Sequence, residues 1–325
     1  MLWLYLHFPH LLLDHVRRSQ PVENALVIVE GTGQNILQAC PLAQDAGIRP
    51  GMRLKTALGL APELNILQAD QQQQAQLLEE QARWLYRYVA HITLAQPDGL
   101  WAEVSSLQRL YGGLAAIWQT VEQALAEHQL TAWTALGHTP LAARLLARAG
   151  KGECSADKGH ITHALAQLPL AAAEFDKTAC TRLNRLGDVF ALPQKELARR
   201  LSPELLATVQ KIQGTRADPR APWQPPHRFR QRADFIQEVE HTQGLLFSLQ
   251  RILAELEDDL CWRQQDTDTL LLVLQHRHQE STRLRLRTTG PEHRAETFMK
   301  LIRLKLDQQP LSAPVVSLVL VVRRF

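Results

Sequence analysis

Nowhere in this 325-residue chain do about 18 uncharged, mainly apolar residues follow one another, which argues against a membrane-spanning helix. The apolar opening, MLWLYLHFPHLLLDHV, lacks a basic leader and a small-residue cleavage site. Tyr5, His7, His10 and Asp14 interrupt it, so it reads as a buried strand running into a helix. Cysteine is scarce: Cys40, Cys154, Cys180 and Cys261 form no CxxC pair. This argues against a zinc site or disulfide framework and suggests a reduced, cytoplasmic protein whose thiols are small apolar fillers. No GxSxG is present, and His138-Thr139-Pro140 reads as a loop, so a serine hydrolase has no support. Gly31-Thr32-Gly33 has no following Walker lysine and reads as a hairpin turn.

The ordinary composition, 45% hydrophobic and 21% charged, suits a folded chain, and the length suits two to four compact domains. The net charge of +3 conceals an asymmetry. Residues 1–160 carry 12 Lys and Arg against 14 Asp and Glu, whereas the remainder carries 24 against 19. A basic C-terminal half points toward a polyanion, of which nucleic acid is the usual one.

The first half alternates strands and helices. Leu2 to Phe8 reads as a central strand, Leu11 to Arg18 as a helix, and Ala25 to Glu30 with Gln34 to Cys40 as a strand pair. A short helix, the turn Gly47-Ile48-Arg49-Pro50-Gly51 and a helix from Leu54 to Leu60 follow. The glutamine-rich run 68–76 leads into a helix with Leu77, Leu78, Leu85, Tyr88 and Val89 on one face. A hairpin centred on Pro97-Asp98-Gly99, a helix over 118–129, a strand over 131–136 and a helix over 141–149 complete an α/β layer. Helices at 183–190, 194–201 and 203–213 form an all-helical block, and the proline-rich TRADPRAPWQPPHR marks a linker. Beyond it the pattern is strand 228–236, helix 241–259, strands 269–276 and 282–288, helix 291–306 and strand 314–323. That βαββαβ order predicts a compact sheet with two helices on one face.

This order resembles the Y-family (translesion) DNA polymerases. The stretch ILQACPLAQDAGIRPGMRLKTALGLAPEL, with LYRYVA, QPDGLWAEVS and RLYGG after it, resembles in particular the ImuB family of polymerase-like mutagenesis factors. The resemblance implies a mixed α/β (α+β) multidomain fold: palm-like residues 1–10 and 71–159, fingers-like 11–70, a helical thumb-like 160–218, a linker 219–226 and a little finger 227–325. It also implies where catalysis would be sought. Y-family enzymes hold two metal ions with an Asp in the first strand and an Asp-Glu pair in a hairpin. Here His7 stands at the first position and Pro9 at a second Asp, while Asp98 remains and Gly99 replaces the Glu. A lone Asp cannot bridge two Mg²⁺ ions, and imidazole is a softer ligand. The triphosphate-binding Tyr and Arg of the fingers correspond to Pro41 and Gln44, a palm lysine to Pro140, and the steric gate to Leu12. No catalytic residue, metal or other cofactor is therefore expected. Packing of His7 and helix capping by His10 are favoured over a metal site made of His7, His10 and Asp98.

The positive signal lies in the last domain. Period-two alternation in Thr282-Arg283-Leu284-Arg285-Leu286-Arg287 puts three arginines on one face and two leucines on the other. Same-face residues lie about 6.8 Å apart, on the scale of phosphate spacing along a nucleic-acid strand. Arg228, Arg230 and Arg232 repeat the pattern, and Lys195, Arg199, Arg200 and Lys211 add charge in the helical block. Charged edges also discourage aggregation, but two strands sharing the pattern favour DNA. The resemblance implies as further partners a RecA-like ImuA-type protein, an error-prone C-family polymerase and the sliding clamp, in a bacterial, nucleoid-associated setting. A clamp peptide is expected in a tail beyond the little finger, and this chain stops at Phe325. Gln167-Leu168-Pro169-Leu170 vaguely fits one but is expected to pack in the helical block. The expectation is a non-catalytic DNA-binding adaptor of damage-induced mutagenesis. A residual polymerase and a protein-only scaffold stand as alternatives.

Overall fold

The computed structural model describes residues 1–20, 23–30, 34–173 and 183–323. The Gly31-Thr32-Gly33 turn and Cys180 lie outside the described residues. The chain divides into two compact units, Met1–Pro9 with Gln81–Gln224, and His10–Glu80 with Pro225–Phe325. Among the described residues no helix is long and apolar enough to cross a membrane.

In the first unit, strand β1 (Trp3–His7) runs antiparallel between β6 (Gly99–Glu103) and β7 (Trp133–Gly137), and β5 (Ile92–Ala95) pairs with β6. As its apolar run requires, β1 is central and buried. The β5–β6 hairpin turns through a cis Gln96–Pro97 bond and Asp98, as the sequence placed it. Helices α5 (Gln108–Tyr111), α6 (Leu114–Glu127) and α7 (Pro140–Arg148) follow around these strands. Helix α7 packs on β1 and β7. Its backbone comes so near the sheet that a Cβ at Gly137 would lie 2.9 Å from the Ala143 Cα.

The helical block contains α8 (Lys158–Ala166), α9 (Leu186–Phe190), α10 (Gln194–Arg200) and α11 (Pro203–Gln213). Sequence reading did not mark α8, because Gly159, Thr162 and Ala164 blur its apolar stripe. Its start is set by Asp157, whose carboxylate accepts the Gly159 and His160 amides. Leu168 and Leu170 are buried, so the Gln167-Leu168-Pro169-Leu170 segment is packed. The proline-rich segment before residue 225 is held along β5: Trp223 N–H donates to the Ile92 carbonyl, and Thr93 Oγ1 donates to that of Ala221.

The second unit holds two sheets. In the smaller, β2 (Leu26–Val29) is antiparallel to β3 (Ile36–Ala39) and parallel to β4 (Asn65–Gln68). Sequence reading missed β4, a four-residue strand whose residues are half-buried or exposed. Helices α2 (Pro41–Asp45) and α3 (Leu54–Leu60) connect the strands, with left-handed Gly47 and Gly51 (φ 88° and 86°) bracketing the turn between them. The expectation that every cysteine is an apolar filler is corrected here. Buried Cys40 caps α2, its Sγ accepting the Ala43 amide at 3.4 Å, while Cys154 and Cys261 are exposed. Helix α4 (Gln71–Leu85) begins in the glutamine run.

The larger sheet has strand order β10-β9-β11-β8, from β8 (Phe229–Val239), β9 (Thr267–His276), β10 (Thr282–Glu292) and β11 (Val315–Val322). All its pairs are antiparallel. Helices α12 (Thr242–Arg263) and α13 (Ala295–Gln308) share one core with it. Several boundaries shift: β8 runs on to Val239 and α12 to Arg263, and β10 continues through an irregularity to Glu292, so α13 starts at Ala295 instead of 291.

Helix α1 (Leu11–Ser19) packs on β8 and α12 through buried polar contacts. Glu255 on α12 accepts from Arg18 at 2.5 Å, from Arg251 at 2.8 Å and from Gln231 on β8. His15 Nε2 hydrogen-bonds to Asp234 Oδ2 at 2.8 Å. Removing one member of a buried pair strands the other charge. Arg18→Ala leaves Glu255 with Arg251 and Gln231, so it is expected to lower stability by about 1 to 3 kcal/mol, read from urea unfolding.

Burial drives the His15 imidazole below its ordinary value, against the pull of Asp234. Burial raises the Asp234 carboxyl, but hydrogen bonds from His15 and Arg232 outweigh it and hold it low. The unfolded chain takes up a proton at His15 near pH 6.5 that the folded chain refuses, so stability falls as pH drops below about 6.5. The Asp234 contribution, present above about pH 3.9, is lost only further down. A His15→Gln variant should show a flatter pH dependence of unfolding free energy between about pH 6.5 and 4.5.

Candidate nucleic-acid interface

Strand β10 carries the alternation that its sequence predicts. Leu284 and Leu286 are buried against the helices, while Arg283, Arg285 and Arg287 are exposed. Register extends this division across the sheet. Arg283 pairs with Val273, Val273 with Val319, and Val319 with Arg232. Arg285, Leu271, Val321 and Arg230 form the next row. The face opposite α12 and α13 therefore has arginines on both edge strands and an apolar floor between them, with α1 and the start of α4 meeting its β8 edge, which the sequence did not reveal. At about 4.8 Å per strand, the edges stand roughly 14 Å apart.

The two edges are not equivalent. On β10, Arg287 lies 3.6 Å from Asp268, and all three side chains face solvent. Arg228 lies in the bend just before β8, a correction to its expected place on the strand, and is exposed, whereas Arg230 and Arg232 on β8 are half-buried. Arg230 Nη1 donates to Gln76 Oε1 at 2.7 Å, and Arg232 Nε donates to both oxygens of Asp234, at 2.8 and 3.0 Å. Asp234 Oδ2 also accepts Gln73 Nε2 at 2.6 Å. The sequence treated β8 as a repeat of β10. It differs because Asp234, two residues after Arg232, shares that face.

In the helical block Lys195, Arg199 and Arg200 are exposed on α10, with Glu196 3.5 Å from Arg200. Lys211 is paired with Asp218 at 3.1 Å.

At the end of β1, His7 is buried, its Nδ1 3.5 Å from Asp98 Oδ1 and its ring 5.4 Å from that of Trp133. Gly99 pairs directly with His7. A Cβ on Gly99 would stand 3.0 Å from Tyr5 Cε2 and closer still to Cζ and the hydroxyl. Burial pushes the Tyr5 phenol up to about 12, against the opposing influence of Arg144 and Arg148. Sequence reading missed these three residues, since two-residue alternation and helix packing bring them together without any local motif. Among the described residues no three His, Cys, Asp or Glu side chains converge as a metal site.

The other expected positions have structural partners. Pro41 opens α2, and the Gln44 amide donates to the Ala39 carbonyl at 2.8 Å. Pro140 opens α7, and its carbonyl accepts the Trp101 indole at 2.8 Å. Leu12 is buried in α1. His10 occupies the position before α1, but no side-chain capping bond forms, which corrects the capping role expected of it. Its carbonyl accepts the Asp14 amide. His10 belongs to the second unit, whereas His7 and Asp98 lie in the first.

The impB/mucB/samB family profile matches residues 11–148. Protein ImuB from two strains of Caulobacter vibrioides is 30% identical over 188 residues, covering 54% of this chain. The match spans 41% of the length of those relatives. Among solved structures, an insertion ternary complex of Dbh DNA polymerase matches with a TM-score of 0.55 at 12% identity, over 99% of this chain and 98% of that one. DinB from Sulfolobus solfataricus matches at 0.53 and 12%, with the same coverage. A chimeric Y-family DNA polymerase matches at 0.54 and 11%, again with that coverage. Over these segments the chain is similar to ImuB and to the impB/mucB/samB family, and it has the fold of the Y-family DNA polymerases.

Proposed function

We propose that this chain is a DNA-binding adaptor for translesion synthesis that holds DNA but does not polymerise it. The observation that carries the reading is the solvent-facing row Arg283, Arg285 and Arg287, fixed outward by the burial of Leu284 and Leu286. Three guanidiniums about 6.8 Å apart repel one another until an anion with repeated charges lies across them. A nucleic-acid backbone supplies such an anion, and the edge separation of roughly 14 Å is on the scale of a major groove about 12 Å wide. Arg228, Lys195, Arg199 and Arg200 add exposed positive charge. Arg230 and Arg232, bound to Gln76 and Asp234, have a second role as braces and bind DNA only in exchange for those contacts.

The residues at the end of β1 do not fit the two Mg²⁺ ions that polymerisation by this fold would use. Asp98 is one carboxylate, and bridging two divalent cations takes several. His7 supplies an imidazole nitrogen, a softer ligand than a carboxylate, and Gly99 supplies nothing. On this reading the palm-like, fingers-like, thumb-like and little-finger segments persist as a frame for DNA. A RecA-like ImuA-type partner, an error-prone C-family polymerase and the sliding clamp would provide the chemistry and the tether.

Replacing Arg283, Arg285 and Arg287 together by alanine is expected to weaken binding to primer-template DNA. It should also flatten the dependence of log K on log salt by about 2 to 3, as each lost phosphate contact removes roughly 0.9. Unchanged affinity and slope would overturn the assignment of this face. Primer extension by the unaltered chain with Mg²⁺ or Mn²⁺ should give no product above the enzyme-free control.

A further inference from the structure

The metal position of this fold is closed by a side chain as well as stripped of ligands, and we infer that Tyr5 is the residue that closes it. The inference rests on the non-polymerising reading above and deepens it. Strand β1 presents Tyr5 and His7 on the same face, two residues apart, and both neighbour Gly99 on β6. Tyr5 is wholly buried and its ring lies 5.4 Å from that of Trp101, so it has little room to turn aside. The far end of that ring fills the space where the first side-chain carbon of any residue at 99 would go. Gly99 does not lie in the left-handed region. The backbone would therefore accept another residue, and the phenol is the nearest obstruction.

Tyr5 and Gly99 thus form a matched pair. A carboxylate cannot be restored at 99 by changing that position by itself, since Cβ meets the ring before a carboxylate is reached. Restoring the acidic edge takes three changes: an acid at 7, an acid at 99 and a shorter side chain at 5. Leucine at 5 keeps an apolar filling while ending before Cε and Cζ, the atoms that a new Cβ would strike.

The test is a stability cycle followed by a metal titration. Gly99→Ala in the native chain adds only the obstructed carbon, and it should lower Tm by about 5 °C, the scale of an overpacked core site. The same change in a Tyr5→Leu background should lower Tm by clearly less. Mn²⁺ is then titrated by electron paramagnetic resonance against two variants. His7→Asp with Gly99→Glu should bind no more Mn²⁺ than the native chain, and adding Tyr5→Leu to that pair should bring at least tenfold tighter binding. An unchanged Tm for Gly99→Ala in the native chain would overturn the inference by itself, whatever the multiple variants do. So would equal costs in the two backgrounds, or Mn²⁺ binding by the double variant with Tyr5 in place. Primer extension and DNA binding by the unaltered chain report separately on the adaptor reading. Incorporation there would sink that reading while leaving the stability cycle to judge Tyr5.

Discussion

One-sided burial of the C-terminal sheet is the constraint from which the exposed cationic surface follows. Leu270, Leu272, Leu274, Leu284, Leu286, Leu318 and Leu320 share a core with α12 and α13. Side chains alternate strictly along a strand, so burying these residues turns their neighbours outward. A one-residue slip of β10 would carry three arginines into that core, at a desolvation cost no packing could offset. Register is accordingly fixed by the same leucines that fix the fold, and the rows Arg283–Val273–Val319–Arg232 and Arg285–Leu271–Val321–Arg230 are its consequence. The arginines need no local motif to hold their direction.

Carboxylates decide what the arginines can do once turned outward. Asp234 sits on the same face as Arg232 and satisfies it through both oxygens, while also accepting from His15 and Gln73. A phosphate reaching Arg232 would have to replace a paired, largely desolvated anion. Among the described residues Arg283 and Arg285 meet no such competitor, and Asp268 lies 3.6 Å from Arg287 with both side chains well exposed. Exposed pairs of that kind are weak and screened by salt. The β8 edge is therefore committed to holding α1 and the start of α4, and the β10 edge is the part available to a ligand. Glu255 does the same work behind the sheet, where it gathers Arg18, Arg251 and Gln231.

Much of this was legible because it depends on period. The βαββαβ order, the outward arginines and the 97–99 hairpin turn all follow from alternation or turn chemistry, which are local properties. What was illegible depends on pairing between distant segments. Strand β4 has four residues and no buried alternation, and only its parallel partner β2 makes it a strand. The brace from Asp234 to His15 and Gln73 spans 219 and 161 residues. Cys40 looked like a small apolar residue, yet its sulfur caps a helix because Pro41 sets the first helical residue directly after it. The β1 site was half legible: residue identities at His7, Asp98 and Gly99 were visible, but the phenol beside Gly99 appears only when β1 and β6 are paired.

That phenol also bears on how the fold tolerates the absence of an acidic edge. Carboxylates brought together on adjacent strand ends repel one another, and each resists burial unless a cation is bound. A site built that way is a standing source of instability that function alone justifies. Glycine at 99 removes one such charge and would leave a void beside Trp101, where lost dispersion contacts would be felt. Tyr5 fills it with an aromatic ring in tilted contact with that indole. Burial then pushes its ionisation up to about 12, so the group that occupies the space stays neutral. A charged edge that needs metal has, on the adaptor reading, given way to a neutral packed one that needs none. The β10 arginines, in the other unit, are unaffected by the exchange, and this is how a sheet can keep its cationic face while the strand ends beside His7 become ordinary core.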